Sequence, residues 1–147
     1  MIRPLFVDHL VWRVRDLSET EKFYAAFLGT PHERAAESIM YQVGDTWLFF
    51  TRCTGNDAAA YDKEQVGLNH FALGVRTLRD LENIQGQLDA AGIVHSGIQL
   101  DPYGTKEFIW MDDPDGLRVE FYLRPAGADW RLELRAKRGI ETYGNHA

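Results

Sequence analysis

Two histidines and one glutamate stand out for the chemistry their positions allow. His9 and His70 open matching runs, Asp8-His9-Leu10-Val11-Trp12-Arg13-Val14-Arg15 and Asn69-His70-Phe71-Ala72-Leu73-Gly74-Val75-Arg76, offset by 61 residues. Glu120 sits in a third alternating run, where Leu117, Val119, Phe121 and Leu123 point one way and Arg118, Glu120 and Tyr122 the other. A carboxylate inside so apolar a strand needs a cationic partner or a metal, because an uncompensated buried charge is costly. Two imidazoles and a carboxylate make a facial ligand set for a divalent cation and leave positions open for substrate or water. Each residue also has a plainer reading. A single strand histidine is commonly a surface or hydrogen-bonded core residue, and Glu120 can simply pair with Arg118. Repetition of the histidine at equivalent places favours the metal set. His32, His95 and His146 have no such company and read as solvated.

These three groups lie far apart in sequence, so the elements around them must bring them together. The first unit reads as a strand over 5–15, followed by a helix opened by Asp16-Leu17-Ser18, where Ser18 with Glu21 matches a capping box. Phe23, Tyr24, Phe27 and Leu28 form the helix's buried stripe, and Gly29 ends it. Strands are expected over 33–37, 38–43 and 46–52, with Gly44-Asp45 as a hairpin turn. Residues 53–66 lack periodicity and read as a linker. The pattern then repeats: a strand from 69, a helix over 78–91 capped by Thr77, and strands over 94–99, 106–111 and 117–123. In that second helix Leu81, Ile84, Leu88 and Ala91 face inward, and Gly92 stops it. Pro114-Asp115-Gly116 is turn chemistry ahead of the glutamate strand. The expected fold is therefore α+β, one domain over 1–147: module one about 5–52, linker 53–66, module two about 67–124, and a tail over 125–147 with a helix over 129–138.

If the two sheets curve together, His9, His70 and Glu120 converge in one trough. Strand alternation lines that trough with Trp47, Phe49, Thr51, Phe108, Trp110 and Tyr122, with Met40 and Gln42 at its edge. Large aromatics are as often core, but opposite a metal they suggest a flat, partly apolar small-molecule substrate carrying a pair of oxygens. Arg13 and Arg118 share faces with His9 and Glu120. They could steady a substrate anion, hold Glu120, or form an internal ion pair.

Composition narrows the partners. A net charge of −6 and a pI near 5.3 argue against nucleic-acid or anionic-membrane binding, which reward a basic surface. The single cysteine, Cys53, excludes an internal disulfide and suits a reducing cytoplasm. No apolar run approaches a membrane span, and Met-Ile-Arg-Pro-Leu at the start is not a signal peptide, so a cytoplasmic location is expected.

The runs quoted above, with Phe23-Tyr24, Leu28-Gly29 and Asp113-Pro114-Asp115-Gly116-Leu117-Arg118-Val119-Glu120, resemble the vicinal oxygen chelate superfamily. That superfamily includes glyoxalase I, extradiol dioxygenases, methylmalonyl-CoA epimerase, fosfomycin thiol transferases and bleomycin-binding proteins. The resemblance covers residues 5–124. It implies two tandem βαβββ modules forming a curved, partly closed mixed sheet, and a divalent metal (iron(II), manganese(II), zinc or nickel) at His9, His70 and Glu120. It also implies a homodimer. In many single-chain members the metal site is shared between subunits, which would set His9 of one copy against His70 and Glu120 of another.

The same resemblance ranks the reactions. Glyoxalase I and the epimerase carry a further ligand on the fourth strand of module one, where aligning Trp47-Leu48-Phe49-Phe50 with Arg118-Val119-Glu120-Phe121 places Phe49. A phenyl ring neither binds a metal nor moves a proton, which counts against a glyoxalase I lyase. Three ligands fit an extradiol dioxygenase better. Such enzymes carry a tyrosine ten residues before the ligand glutamate, where this chain has Trp110, and a second-shell histidine in the region of Asp101-Pro102-Tyr103-Gly104. Tyr103, Tyr122 and Arg118 are the candidates to stand in as catalytic groups. A fosfomycin-type transferase is an alternative on the strength of Gly44-Asp45-Thr46-Trp47-Leu48, although Phe108 and Trp110 replace the serine and tyrosine it needs. A metal-free bleomycin-type binding protein is another, its acidic charge suiting a cationic drug. The favoured expectation is a divalent-metal enzyme, dioxygenase-like, acting on a small substrate with vicinal oxygens.

Overall fold

A strand with alternate apolar residues can bury one face against a helix and must leave the other to solvent, a ligand or a partner. The chain does this twice. In the computed structural model, which describes residues 3–55, 59, 61–103 and 105–127, module one runs β1 (His9–Val14), α1 (Leu17–Leu28), β2 (Glu33–Arg34), β3 (Ser38–Val43) and β4 (Thr46–Arg52). Module two runs β5 (His70–Val75), α2 (Leu78–Ala91), β6 (Gln99–Leu100), β7 (Glu107–Asp112) and β8 (Arg118–Leu123). The tail helix expected over 129–138, and His146, lie outside the described residues.

Each module folds into its own four-stranded mixed sheet, ordered β1-β4-β3-β2 and β5-β8-β7-β6. The first strand pairs parallel with the last, and the remaining pairs are antiparallel. The registers coincide: His9 opposes Trp47 and Val11 opposes Phe49, while His70 opposes Arg118 and Ala72 opposes Glu120. Phe49 thus occupies in module one the place Glu120 occupies in module two. The expected α+β fold of two tandem βαβββ modules is present as two four-stranded mixed sheets without a closed barrel, with β1 and β5 each hydrogen-bonded on one side only.

The core lies between the inner faces of the sheets and the two helices. Leu17, Tyr24, Ile39, Leu48, Phe50, Leu81, Leu88, Ile109, Met111 and Val119 are its most buried side chains. Trp12 packs at a tilt against Phe71 at 4.9 Å and Phe27 meets Phe121 edge-on at 5.3 Å, joining the modules. Among the described residues no helix is long and apolar enough to cross a membrane.

Several local readings change. α1 is capped by Asp16, whose carboxylate accepts the backbone N–H of Ser18 and Glu19, so Ser18 falls inside the first turn and cannot be the cap. Thr77 and Asp80 do form a full capping box on α2. Ala91 is exposed, and Phe27 and Leu28 are half-buried. β1 is shorter than 5–15, and β2 stops after two residues. The strand expected over 94–99 reduces to one bridge at His95 and the two-residue β6, because Gly97 takes φ 71° and the Ser96 hydroxyl accepts the Trp110 N–H. His95 is not solvated. Its side chain is 11% exposed and joins Asp89 to the backbone N–H of Gly97. His32 is exposed, as expected.

The turn before β8 is clamped from below. Buried Asp113 accepts the N–H of Asp115 and Leu117 on one oxygen and the Tyr24 hydroxyl on the other, and Gly116 supplies the positive φ of 97° the turn needs. Asp113→Ala leaves two backbone donors and a buried phenol without their acceptor, and is expected to cost about 2–4 kcal/mol in urea unfolding. Burial pushes the Asp113 carboxyl above its ordinary value, against the pull of the hydrogen bonds from Leu117, Tyr24 and Asp115. The folded state therefore holds this proton more tightly than the unfolded chain. Its contribution is whole below the ordinary aspartate range and declines as pH rises through the raised value. Asp113→Asn should flatten that part of the stability profile.

Candidate functional site

The outer face of the second sheet carries a cavity of about 620 Å³ lined by His70, Gln99, Tyr103, Phe108, Trp110, Arg118, Glu120 and Tyr122, among others. Its placement follows from register. On β8, Arg118, Glu120 and Tyr122 alternate away from the core, and on β7 they face Asp112, Trp110 and Phe108 in turn. On β5, His70 lies beside Arg118 and the small Ala72 beside Glu120. Glu120 is consequently walled by side chains and only 6% exposed, although it lies on the outer face.

His70 Nε2 and Glu120 Oε2 stand 3.7 Å apart. That is longer than a hydrogen bond, so a nitrogen and an oxygen donor face each other in the cavity lining without being joined. Burial raises the Glu120 carboxyl above its ordinary value, opposed by the charges of His70 and Arg118. The other nitrogen of His70, Nδ1, contacts Asn69 Oδ1 at 2.7 Å. Two donors of this kind suit a divalent cation and would supply two of its positions.

His9 is elsewhere. It projects from the outer face of the first sheet, about half exposed, with Nδ1 against Asp8 Oδ2 at 2.7 Å and its ring edge-on to Phe49 at 5.9 Å. Among the described residues no group of three or more His, Cys, Asp or Glu side chains is placed to hold a metal ion. The single trough expected from strand alternation is therefore split. Phe108, Trp110 and Tyr122 share the cavity with His70 and Glu120. Trp47, Phe49, Thr51, Met40, Gln42 and Arg13 belong to the first sheet, because each sheet presents its own outer face. Arg13 donates to the Arg52 carbonyl at 3.2 Å, and Trp47 packs edge-on to His32 at 5.0 Å.

Ring contacts and ion pairs tie the walls of the cavity together. Phe108 and Tyr122 stack at 4.8 Å, and the Arg118 guanidinium lies 3.8 Å over the Trp110 ring. Arg118 also binds Asp112 at 3.0 and 3.4 Å, which settles it as an ion pair with Asp112. Lys63 reaches the same carboxylate at 3.2 Å. Burial raises Asp112, but the hydrogen bonds from Arg118 and Lys63 outweigh it and leave the group below its ordinary value. The Tyr122 hydroxyl is pushed up to about 12 by burial and then by Glu120 and Asp101. At neutral pH it is a proton donor, not a base. Tyr103, about half exposed, flanks the mouth.

Sequence reading missed Gln99, Asp112, Lys63, Asn69 and Asp8. The linker expected over 53–66 gave no signal of its own, yet its Lys63 is stitched to the site through Asp112 and accepts the Asn69 amide on its carbonyl at 2.8 Å. The signal that could have found Asp8 and Asn69 was their shared place one residue before each histidine.

A family model described as the Glyoxalase/Bleomycin resistance protein/Dioxygenase superfamily matches residues 6–121. Uncharacterized protein YaeR of Escherichia coli (strain K12) is 36% identical over 59 residues, which span 40% of this chain and 43% of that protein. The structure of a glyoxylase/bleomycin resistance protein/dioxygenase domain from Frankia sp. EAN1pec superposes with a TM-score of 0.71 at 21% identity, covering 86% of this chain and 96% of that one. A glyoxalase family protein from Enterococcus faecalis gives 0.66 at 21% identity, covering 80% and 97%. At such identity these structures speak for the fold alone.

Proposed function

The chain belongs to the Glyoxalase/Bleomycin resistance protein/Dioxygenase superfamily, and we propose that it is a metal-dependent enzyme whose His70 and Glu120, with His9 of a second copy, hold a divalent cation. The observation that carries this reading is the 3.7 Å approach of His70 Nε2 to Glu120 Oε2 in the lining of an aromatic cavity. Support for the second copy comes from the first sheet. His9 opens the free edge strand β1, where Val11 and the preceding Leu5, Phe6 and Val7 expose apolar surface, as Val66 and Leu68 do before β5. A homodimer sharing the site is the simplest use of both.

When bound, the cation would supply Lewis acidity, gathering vicinal oxygens of a small substrate and stabilising charge that develops on them. The chain's own residues do the rest. The Phe108–Tyr122 stack and the Trp110–Arg118 stack form flat walls that orient a planar substrate and exclude water. The Tyr122 hydroxyl, held protonated, can donate to a substrate oxygen. This arrangement favours dioxygenase-like use of a catechol or similar diol. Phe49 against His9 leaves no fourth ligand or base for a glyoxalase I lyase. Phe108 and Trp110 leave no hydroxyl set for a fosfomycin-type transferase.

Elemental analysis of untagged protein is expected to find about one metal ion per chain. After anaerobic loading with iron(II), exposure of a catechol panel to dioxygen should give ring-cleaved product, and absence of product from every catechol removes the dioxygenase reading. A metal-free binding protein remains the second reading because the aromatic walls are complete without an ion. It predicts ligand binding that survives EDTA.

A further inference from the structure

We propose that Asn69 is a positioning residue that decides which nitrogen of His70 carries the proton, keeping Nε2 as an open electron pair toward Glu120; this rests on the reading of His70 and Glu120 as metal ligands. The Asn69 side chain is tied at both ends. Its Nδ2 donates to the Lys63 carbonyl at 2.8 Å, and a carbonyl can only accept. The amide is thereby oriented with Oδ1 on His70 Nδ1 at 2.7 Å. That oxygen is also only an acceptor, so Nδ1 must be the donor. In a neutral imidazole the lone pair then sits on Nε2, the nitrogen that faces Glu120 Oε2.

The brace behind Asn69 is itself anchored. Lys63 binds Asp112 through its ammonium group, and Asp112 binds Arg118 in the cavity wall. The stretch before β5 therefore holds the Asn69 amide in place from the same network that shapes the cavity. Module one repeats the arrangement. Asp8 Oδ2 lies 2.7 Å from His9 Nδ1, and a carboxylate likewise only accepts. The two modules differ in what faces the imidazole, Phe49 or Glu120, but agree in the acceptor placed one residue before it. A structural accident of one loop would not recur at the same register in both sheets.

The test uses full-length protein labelled with ¹⁵N-histidine. Ring-nitrogen shifts and couplings of the metal-free wild type should show His70 protonated on Nδ1. Asn69→Ala should move it toward Nε2–H, the form free imidazole side chains prefer, and Asn69→Asp should restore Nδ1–H as Asp8 does for His9. In parallel, Co²⁺ titration should show a loss of roughly 10–100-fold in affinity for Asn69→Ala, largely recovered in Asn69→Asp. Nε2–H in the wild type, or an unchanged Nδ1–H form in Asn69→Ala, overturns the assignment. Wild-type protein that takes up no Co²⁺ overturns the metal reading alone, and the nitrogen spectra still decide the role of Asn69.

Discussion

Replacing Glu120 by alanine is expected to lower divalent-metal affinity by on the order of a hundredfold or more, beyond what loss of an outer-shell partner costs. Glu120 is the oxygen donor facing His70, and without it one exposed imidazole remains on that sheet. The same change should leave the fold intact. The Glu120 carboxyl is 6% exposed and burial raises it above its ordinary value, so its charge is held at a cost to the fold. Glu120→Gln, which keeps the shape and removes the charge, should therefore match or exceed wild-type stability in urea while losing metal. The raised value also sets a pH dependence. Metal binding needs the carboxylate, so affinity should decline on acidification already above the ordinary glutamate range. Calorimetric titration with Mn²⁺ or Zn²⁺ measures both effects. Wild-type affinity in Glu120→Ala would place the metal elsewhere.

His9→Ala is expected to abolish metal binding as completely as His70→Ala, although the structure sets His9 on the other sheet. The decisive measurement is a mixture. If the site is shared between two copies, dimers formed from His9→Ala and His70→Ala chains contain one intact site and one doubly defective site. Co-refolding the two inactive variants should then recover metal uptake that neither shows alone. Full retention of metal in His9→Ala would limit the ligand set to one sheet. Two inactive variants with no recovery on mixing would mean that all ligands act within one chain.

The duplication of the strand–helix–three-strand unit was legible because hydrophobic alternation has a fixed period, and because His9 and His70 mark the same register in each copy. The same periodicity placed Phe108, Trp110, Glu120 and Tyr122 on one face, where the structure has them. Aligning Trp47-Leu48-Phe49-Phe50 with Arg118-Val119-Glu120-Phe121 put Phe49 at the place of Glu120, and the registers agree, with Phe49 opposite Val11 as Glu120 is opposite Ala72. It failed where hydrogen bonds of single side chains decide the outcome. Asp16 took the cap from Ser18, Ser96 ended a strand, and Asp89 drew His95 out of solvent.

The sequence by itself determined which residues share a sheet face, since alternation is a property of the backbone alone. Only the tertiary structure decided how the two faces relate. β1 and β5 end as edges of separate sheets, and among the described residues His9 does not join His70 and Glu120 in one cluster. It also decided that the aperiodic stretch before β5 braces the site, through Lys63 and Asn69. Both outcomes rest on contacts between segments distant along the chain, and no local period encodes such contacts.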